Sequence, residues 1–271
     1  MAIAKTENLT IHYDDAGDGD PLLFIHGHPF DRSMWREQVS LFSRRGYRVI
    51  APDLRGYGST PLPEGPAGFE VFAQDLAQLL DHLGIDRVVV CGLSMGGQIA
   101  MDFCRQFPSR VRALALMATF PQAETAQGKV ARNAIADRLE REGVKDYAVE
   151  LLPKMLAAST IEQQPAVAAG LLRLMGSSNA SGCAAALRAR AERLDFAETL
   201  AGLRVPSLVV VGDQDAFTTR ADAERMHELL HDSKLIWMED VGHMPNLESL
   251  ASFDEAFRQF LQSVCQSEAA Q

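Results

Sequence analysis

Along most of the chain, short apolar runs alternate with stretches in which apolar residues recur every three or four positions. The runs predict strands near 9–14 and at 21–25 (PLLFI), 47–51 (YRVIA), 87–91, 111–117 (VRALALM), 206–211 (PSLVVV) and 234–238 (KLIWM). The three- and four-residue periodicity predicts helices near 33–44, 69–83, 95–107, 219–231 and 248–264. Such alternation specifies an α/β protein, a mostly parallel sheet of about eight strands covered by helices on both faces. Only AGDGD separates the first two strands, so they are expected to pair antiparallel as a hairpin.

One segment breaks the rhythm. From Phe120 to about Leu200 no strand-like run occurs, only Ala-, Leu- and Arg-rich helical sequence broken at Gly143, Pro165 and Gly176. About four helices are therefore expected between two strands, over the face where open α/β sheets bind ligands. No linker or repeat sets this segment apart. Residues 1–271 read as one domain, with a core of about 1–119 and 201–271 and a helical lid of about 120–200.

A chain of 271 residues is long enough for a large core. The formal charge of −10 and pI near 5.2 argue against a nucleic-acid or anionic membrane surface. The cysteines Cys91, Cys104, Cys183 and Cys265 have no metal or redox spacing and read as reduced thiols, mostly in the core. The opening residues lack a basic head followed by an apolar stretch, and no segment has the length of a membrane span, so a soluble cytoplasmic protein is expected.

Candidate chemistry starts at VVVCGLSMGG, residues 88–97, where a buried strand hands over to a helix with Ile99, Ala100, Phe103 and Phe107 on one face. Ser94 sits in the turn between them, flanked by glycines that let the backbone double back. Its hydroxyl would stand above the carboxyl end of the sheet, where a helix N-terminus directs free N–H groups. A serine nucleophile needs a base, and the base needs an acid to hold it. Later strand ends supply both. GDQDAFTT carries Asp213 and Asp215, and VGHMPNLE carries His243. Asp215 lies further round its turn than Asp213 and is the better placed to reach a histidine on the next strand.

The oxyanion formed on an attacked carbonyl needs aligned N–H donors. These are expected at the backbone of Met95, next to the nucleophile, and of His28 in His26-Gly27-His28-Pro29. His26 and His28 lack a third ligand at metal spacing, so no metal is expected, and His26 reads as a buried support for the loop.

Five stretches together resemble the α/β-hydrolase superfamily, over nearly the whole chain: HGHP at 26–29, APDLRGYGST at 51–60, GLSMGG at 92–97, GDQD at 212–215 and GHMPNLE at 242–248. The resemblance implies Ser94 as nucleophile, Asp215 as acid and His243 as base. It implies oxyanion donors at His28 and Met95, and a structural role for Asp53. The sequence before LRVPSLVVVGDQD is similar to the lid end of small carboxylesterases and 3-oxoadipate enol-lactonases. Related haloalkane dehalogenases and epoxide hydrolases carry an aspartate nucleophile, where this chain has Ser94. Epoxide hydrolases also use lid tyrosines, and this lid has only Tyr147.

Phe30, Phe120, Phe217 and Met244 lie near predicted loop ends and are candidates for an apolar pocket, which favours an uncharged small-molecule ester or lactone. The lid residues Ala157, Ala158, Val167, Leu171, Leu172, Leu174 and Met175 read mainly as lid packing. Arg173, Arg188, Arg190 and Arg193 read as a solvated face paired with Glu192 or Glu198; an inward-turned arginine would instead hold a substrate carboxylate, as the resemblance to enol-lactonases would require. The expected activity is hydrolysis of carboxylic esters through an acyl-enzyme on Ser94, without a cofactor. Lactone or carbon–carbon bond hydrolysis with the same three residues is the alternative. A peroxide-using side reaction or a ligand-sensing receptor would also fit the motifs, which leave the oligomeric state open.

Overall fold

The computed structural model describes residues 1–269. Eight strands form a single sheet: β1 (Ala2–Lys5), β2 (Thr10–Ala16), β3 (Asp20–Ile25), β4 (Tyr47–Pro52), β5 (Val88–Leu93), β6 (Val111–Met117), β7 (Ser207–Gly212) and β8 (Ser233–Met238). Their spatial order is β1-β2-β4-β3-β5-β6-β7-β8. The pairs β1/β2 and β2/β4 are antiparallel, and every pair from β4/β3 to β7/β8 is parallel.

The expected hairpin between the strands at 9–14 and 21–25 does not form, because β4 lies between β2 and β3. Burial explains the difference. β3 is apolar and buried at Leu22, Leu23, Phe24 and Ile25, and so needs a covered position with parallel neighbours on both sides. β2 alternates buried and partly buried residues and sits near the edge. The short link between them crosses the start of β4: a Cβ on Gly17 would lie 2.3 Å from the Tyr47 carbonyl oxygen, and one on Gly19 2.3 Å from that of Gly46. β2 pairs instead with β1, a four-residue strand that the apolar pattern did not signal.

Successive strand residues feed two apolar layers, as a period of two requires. Leu23, Ile25, Val88, Val90, Val209 and Val211 face one layer, whereas Leu22, Phe24, Val89, Cys91, Leu208 and Val210 face the other. Helices α1 (Arg36–Ser43), α2 (Glu70–His82) and α3 (Met95–Gln106) follow the early strands. A 3-10 turn at Arg32–Trp35 precedes α1 and overlaps the start of the predicted 33–44 helix.

Between β6 and β7 come α4 (Ala126–Glu142), α5 (Lys145–Met155), α6 (Ala158–Gln163), α7 (Pro165–Gly176), α8 (Ala180–Ala191) and α9 (Ala197–Gly202). Helices break at Gly143, Pro165 and Gly176, with a further break at Leu156–Ala157. The segment straddles the sheet. Ala136, Leu139, Cys183, Ala184 and Leu187 of α4 and α8 join the first layer, and Ala148, Leu151, Leu171 and Met175 of α5 and α7 join the second. After β7 come α10 (Arg220–Leu229), α11 (Pro245–Glu248) and α12 (Leu250–Ala269), the last two replacing the one helix predicted at 248–264. Cys91, Cys104 and Cys183 are buried free thiols, and Cys265 is exposed. No helix among the described residues is long and apolar enough to cross a membrane.

Candidate active site

The β5–α3 junction is a sharp elbow. Ser94 occupies it with φ 55° and ψ −116°, a region that side chains other than glycine rarely adopt. Hydrogen bonds hold it there: the Ser94 N–H donates to Met117 O at 2.9 Å, and the Thr119 hydroxyl donates to Ser94 O at 2.8 Å. Glycine at 96 is required by close approach, since a Cβ there would lie 2.2 Å from Ile25 O. Gly27 lets the loop after β3 rest on the elbow, where its Cβ would meet the Ser94 Cβ at 3.3 Å.

Asp215 follows β7 and His243 follows β8, so both share the carboxyl edge of the sheet with Ser94. His243 Nδ1 lies 2.9 and 3.0 Å from the two carboxylate oxygens of Asp215. Asp213 takes a different partner, accepting from the Val241 N–H at 3.3 Å. Burial alone would raise the Asp215 carboxyl. The facing His243, its hydrogen bond and the amides of Phe217 and Thr218 outweigh burial and hold the group below the usual carboxylate range. Nδ1 is thereby committed to the acid, leaving Nε2 for proton exchange.

The His243 backbone is tied to the helical segment. Its N–H donates to Met155 O at 3.1 Å. Glu248, buried beneath, accepts from Met244 N at 2.9 Å, Ala157 N at 2.7 Å and the Thr160 hydroxyl at 2.9 Å.

The loop after β3 brings His28 to the same edge through a cis His28–Pro29 peptide. Neither the His28 nor the Met95 amide has a protein acceptor among the described residues. The His28 ring lies between two phenols, with Nδ1 2.7 Å from Tyr57 Oη and Nε2 3.3 Å from Tyr147 Oη. Burial, then Arg190, Arg132 and His26, hold His28 well below its ordinary pKa, so the ring is neutral. Burial also pushes the Tyr147 phenol up to about 12. His26 is fully buried, with Nδ1 2.9 Å from Gly27 O and Nε2 accepting from Leu54 N at 3.0 Å. Asp53 accepts from the Ser59 and Arg32 amides and pairs with the Arg32 guanidinium.

The four pocket candidates divide. Phe30 and Met244 are buried in the apolar layer shared with α5 and α7. Phe217 is exposed, with its ring centroid 4.8 Å from that of His243 in an edge-on arrangement. Phe120 lies under the Arg193 guanidinium at 5.3 Å.

Arg190 and Arg193 depart from the expected solvated face, whereas Arg173 of α7 is exposed as expected. Arg188 alone of α8 keeps to that face, pairing with Asp137 and Glu140 rather than Glu192 or Glu198. Arg190, on the buried side of α8, and Arg193, just beyond the end of that helix, turn inward. Arg193 pairs with Glu124. Sequence reading did not assign roles to Tyr57, Gln98 and Glu248, although Tyr57 and Glu248 lie inside the quoted RGYG and GHMPNLE stretches.

The alpha/beta hydrolase fold family matches residues 20–250. The chain belongs to that family. It is 30% identical to 3-oxoadipate enol-lactonase 2 of Acinetobacter baylyi over 92% of each chain. Its structure superposes with a TM-score of 0.94 on a thermophilic esterase from Thermogutta terrifontis, solved with malate bound; that protein is 34% identical, covering 97% of this chain and 99% of its own. The enol-lactonase of Burkholderia xenovorans LB400 gives a TM-score of 0.89 at 27% identity, over 96% of this chain and all of its own. This α/β hydrolase therefore has esterases and enol-lactonases among its relatives.

Proposed function

We propose that this α/β hydrolase cleaves carboxylic esters through an acyl-enzyme on Ser94. The observation that carries the reading is the buried Asp215–His243 pair on the sheet edge where Ser94 is held at positive φ. In the cycle, His243 takes the Ser94 proton as the hydroxyl attacks the carbonyl carbon. The oxyanion rests on the His28 and Met95 amides. His243 then protonates the leaving alcohol and activates water to release the acid. No cofactor enters these steps. The helical segment, tied to the His243 loop through Met155 and Glu248, acts as the lid.

The likeness to enol-lactonases over nearly the whole chain supports a second substrate form, a lactone opened by the same attack. The test is hydrolysis of p-nitrophenyl esters from acetate to octanoate by the wild type and Ser94→Ala, with fluorophosphonate labelling of both. Ser94-dependent release and labelling are expected. Comparable turnover by Ser94→Ala would overturn the assignment. Labelling without release would move the substrate search to lactones.

A further inference from the structure

We propose that Arg190 is a specificity-determining residue that binds a carboxylate on the acyl side of the substrate. The proposal rests on the acyl-transfer reading of Ser94 and names the substrate class of that site.

Arg190 is only 8% exposed. A guanidinium carries about five N–H donors. Arg190 uses one of them within the protein, Nε to Gln98 Oε1 at 2.7 Å; among the described residues no carboxylate pairs with it. A buried cation in this state is costly unless an anion meets it. The carboxylate that acts on Arg190 is spoken for: Glu124, only partly buried, pairs with Arg132 and with Arg193, so three guanidinium groups share one acid. Burial, then Arg132 and Arg193, hold Arg190 well below the ordinary arginine value, so the local field favours an arriving negative charge.

Gln98 supplies a second, independent observation. It is fully buried, and its Nε2 has no partner. The Arg190 bond fixes Oε1 as the acceptor, so the unpaired end of the amide is its N–H2 group, beside the guanidinium. One carboxylate can satisfy both, which a neutral ester chain cannot do.

The position explains which part of the substrate is read. Gln98 lies one helical turn beyond Ser94, with its N–H on Ser94 O, and helical side chains lean toward the N-terminus and so toward the elbow. Arg190 acts electrostatically on His28, Tyr57 and Tyr147, placing it on the β3 side of Ser94. His243, which must reach the leaving alcohol, comes from β8 at the other end of the parallel strands. The carboxylate is therefore on the acid portion, so the substrate assigned to the site is the half-ester of a small dicarboxylic acid, where the apolar residues alone favoured an uncharged ester.

The test compares monoethyl succinate with ethyl butyrate, acyl groups of similar length that differ in charge, by pH-stat. The wild type is expected to favour the half-ester at least tenfold in kcat/KM. Arg190→Gln should reduce that ratio at least tenfold, chiefly through KM, and Arg190→Lys should restore part of it. An unchanged ratio in Arg190→Gln, or a wild-type preference for ethyl butyrate, overturns the proposal. Succinate binding gives a readout without turnover: succinate, but not succinamide, should raise the Tm of both wild type and Ser94→Ala. Absence of that shift also counts against the anion site. Binding without hydrolysis of either ester would uphold the anion site while refuting the Ser94 reading. If Arg190→Gln does not fold, Gln98→Leu takes its place, with the same ratio expected to fall.

Discussion

Both carboxylate oxygens of Asp215 lie within 3.0 Å of His243 Nδ1, and the two side chains are 0% and 2% exposed. The pair is thus a shielded acid fixing one tautomer of a ring. Asp215→Asn keeps the shape and removes the charge, and is expected to lower kcat by roughly 10⁴-fold. Asp213→Asn is the matched control, because Asp213 meets the Val241 amide and not the imidazole. It should stay within a few-fold of wild type in the same p-nitrophenyl ester assay. Equal losses in the two variants would show that the loop, rather than the Asp215 contact, matters.

The same pair predicts an acid-sensitive contribution to stability. The folded Asp215 carboxyl lies below its usual range, so its ionised form is favoured by folding. That contribution is present above the unfolded value of about 3.9 and is lost as pH falls through the lower folded value. Asp75, Asp102 and Asp254 are shifted the other way by burial, so the total acid profile mixes opposing effects. The difference between wild type and Asp215→Asn isolates one group. Measured by urea unfolding, it should be constant near neutrality and shrink below pH about 4. A difference that persists unchanged to pH about 2 would contradict the ionised pair.

The sequence carried the order of elements well, because most strands of this sheet are buried on both faces and read as apolar runs bounded by turns. It failed where neighbours are chosen by tertiary packing. PLLFI announced a buried strand, but nothing local said that YRVIA would come between it and the strand before it. The Ser94, Asp215 and His243 loops were legible since each follows a strand end, with turn residues beside the chemistry-bearing side chain. The partners of His28 were not. Tyr57 and Tyr147 reach it from positions 29 and 119 residues away. Arg190 was ambiguous for a related reason: α8 is buried on nearly every side and so lacks the polar stripe that separates an inward from an outward arginine.

Arg55 and Asp75 form a buried two-bond pair at 2.6 and 2.7 Å, joining α2 to the loop that carries Tyr57. Burial outweighs Arg55 in setting the Asp75 carboxyl above its usual range, so the pair's desolvation is only partly repaid. Asp75→Ala should therefore destabilise by about 3 to 5 kcal/mol, leaving Arg55 buried and unpaired. The double variant Arg55→Leu/Asp75→Leu is expected to lose much less. Urea midpoints of the two proteins check this, and a double variant as unstable as the single one would mean that the pair itself drives folding.

Glu248 links two parts of the site that are far apart in the chain. Its carboxylate holds the Ala157 and Met244 amides, on either side of the His243–Met155 hydrogen bond. Glu248→Gln cannot accept both, because one carboxylate oxygen becomes a donor facing an N–H. Leaving one of those buried amides unpaired costs about 1 to 3 kcal/mol. A drop in Tm of matching size is expected. Since the released segment also holds the His243 backbone, kcat should fall while KM changes little. Thr160→Val is the comparison: it removes only the hydroxyl bond to the same carboxylate and should lower Tm while sparing kcat. If Glu248→Gln lowers Tm without touching kcat, Glu248 merely staples the helical segment. A fall in kcat beyond that of Thr160→Val assigns it the placement of the His243 ring.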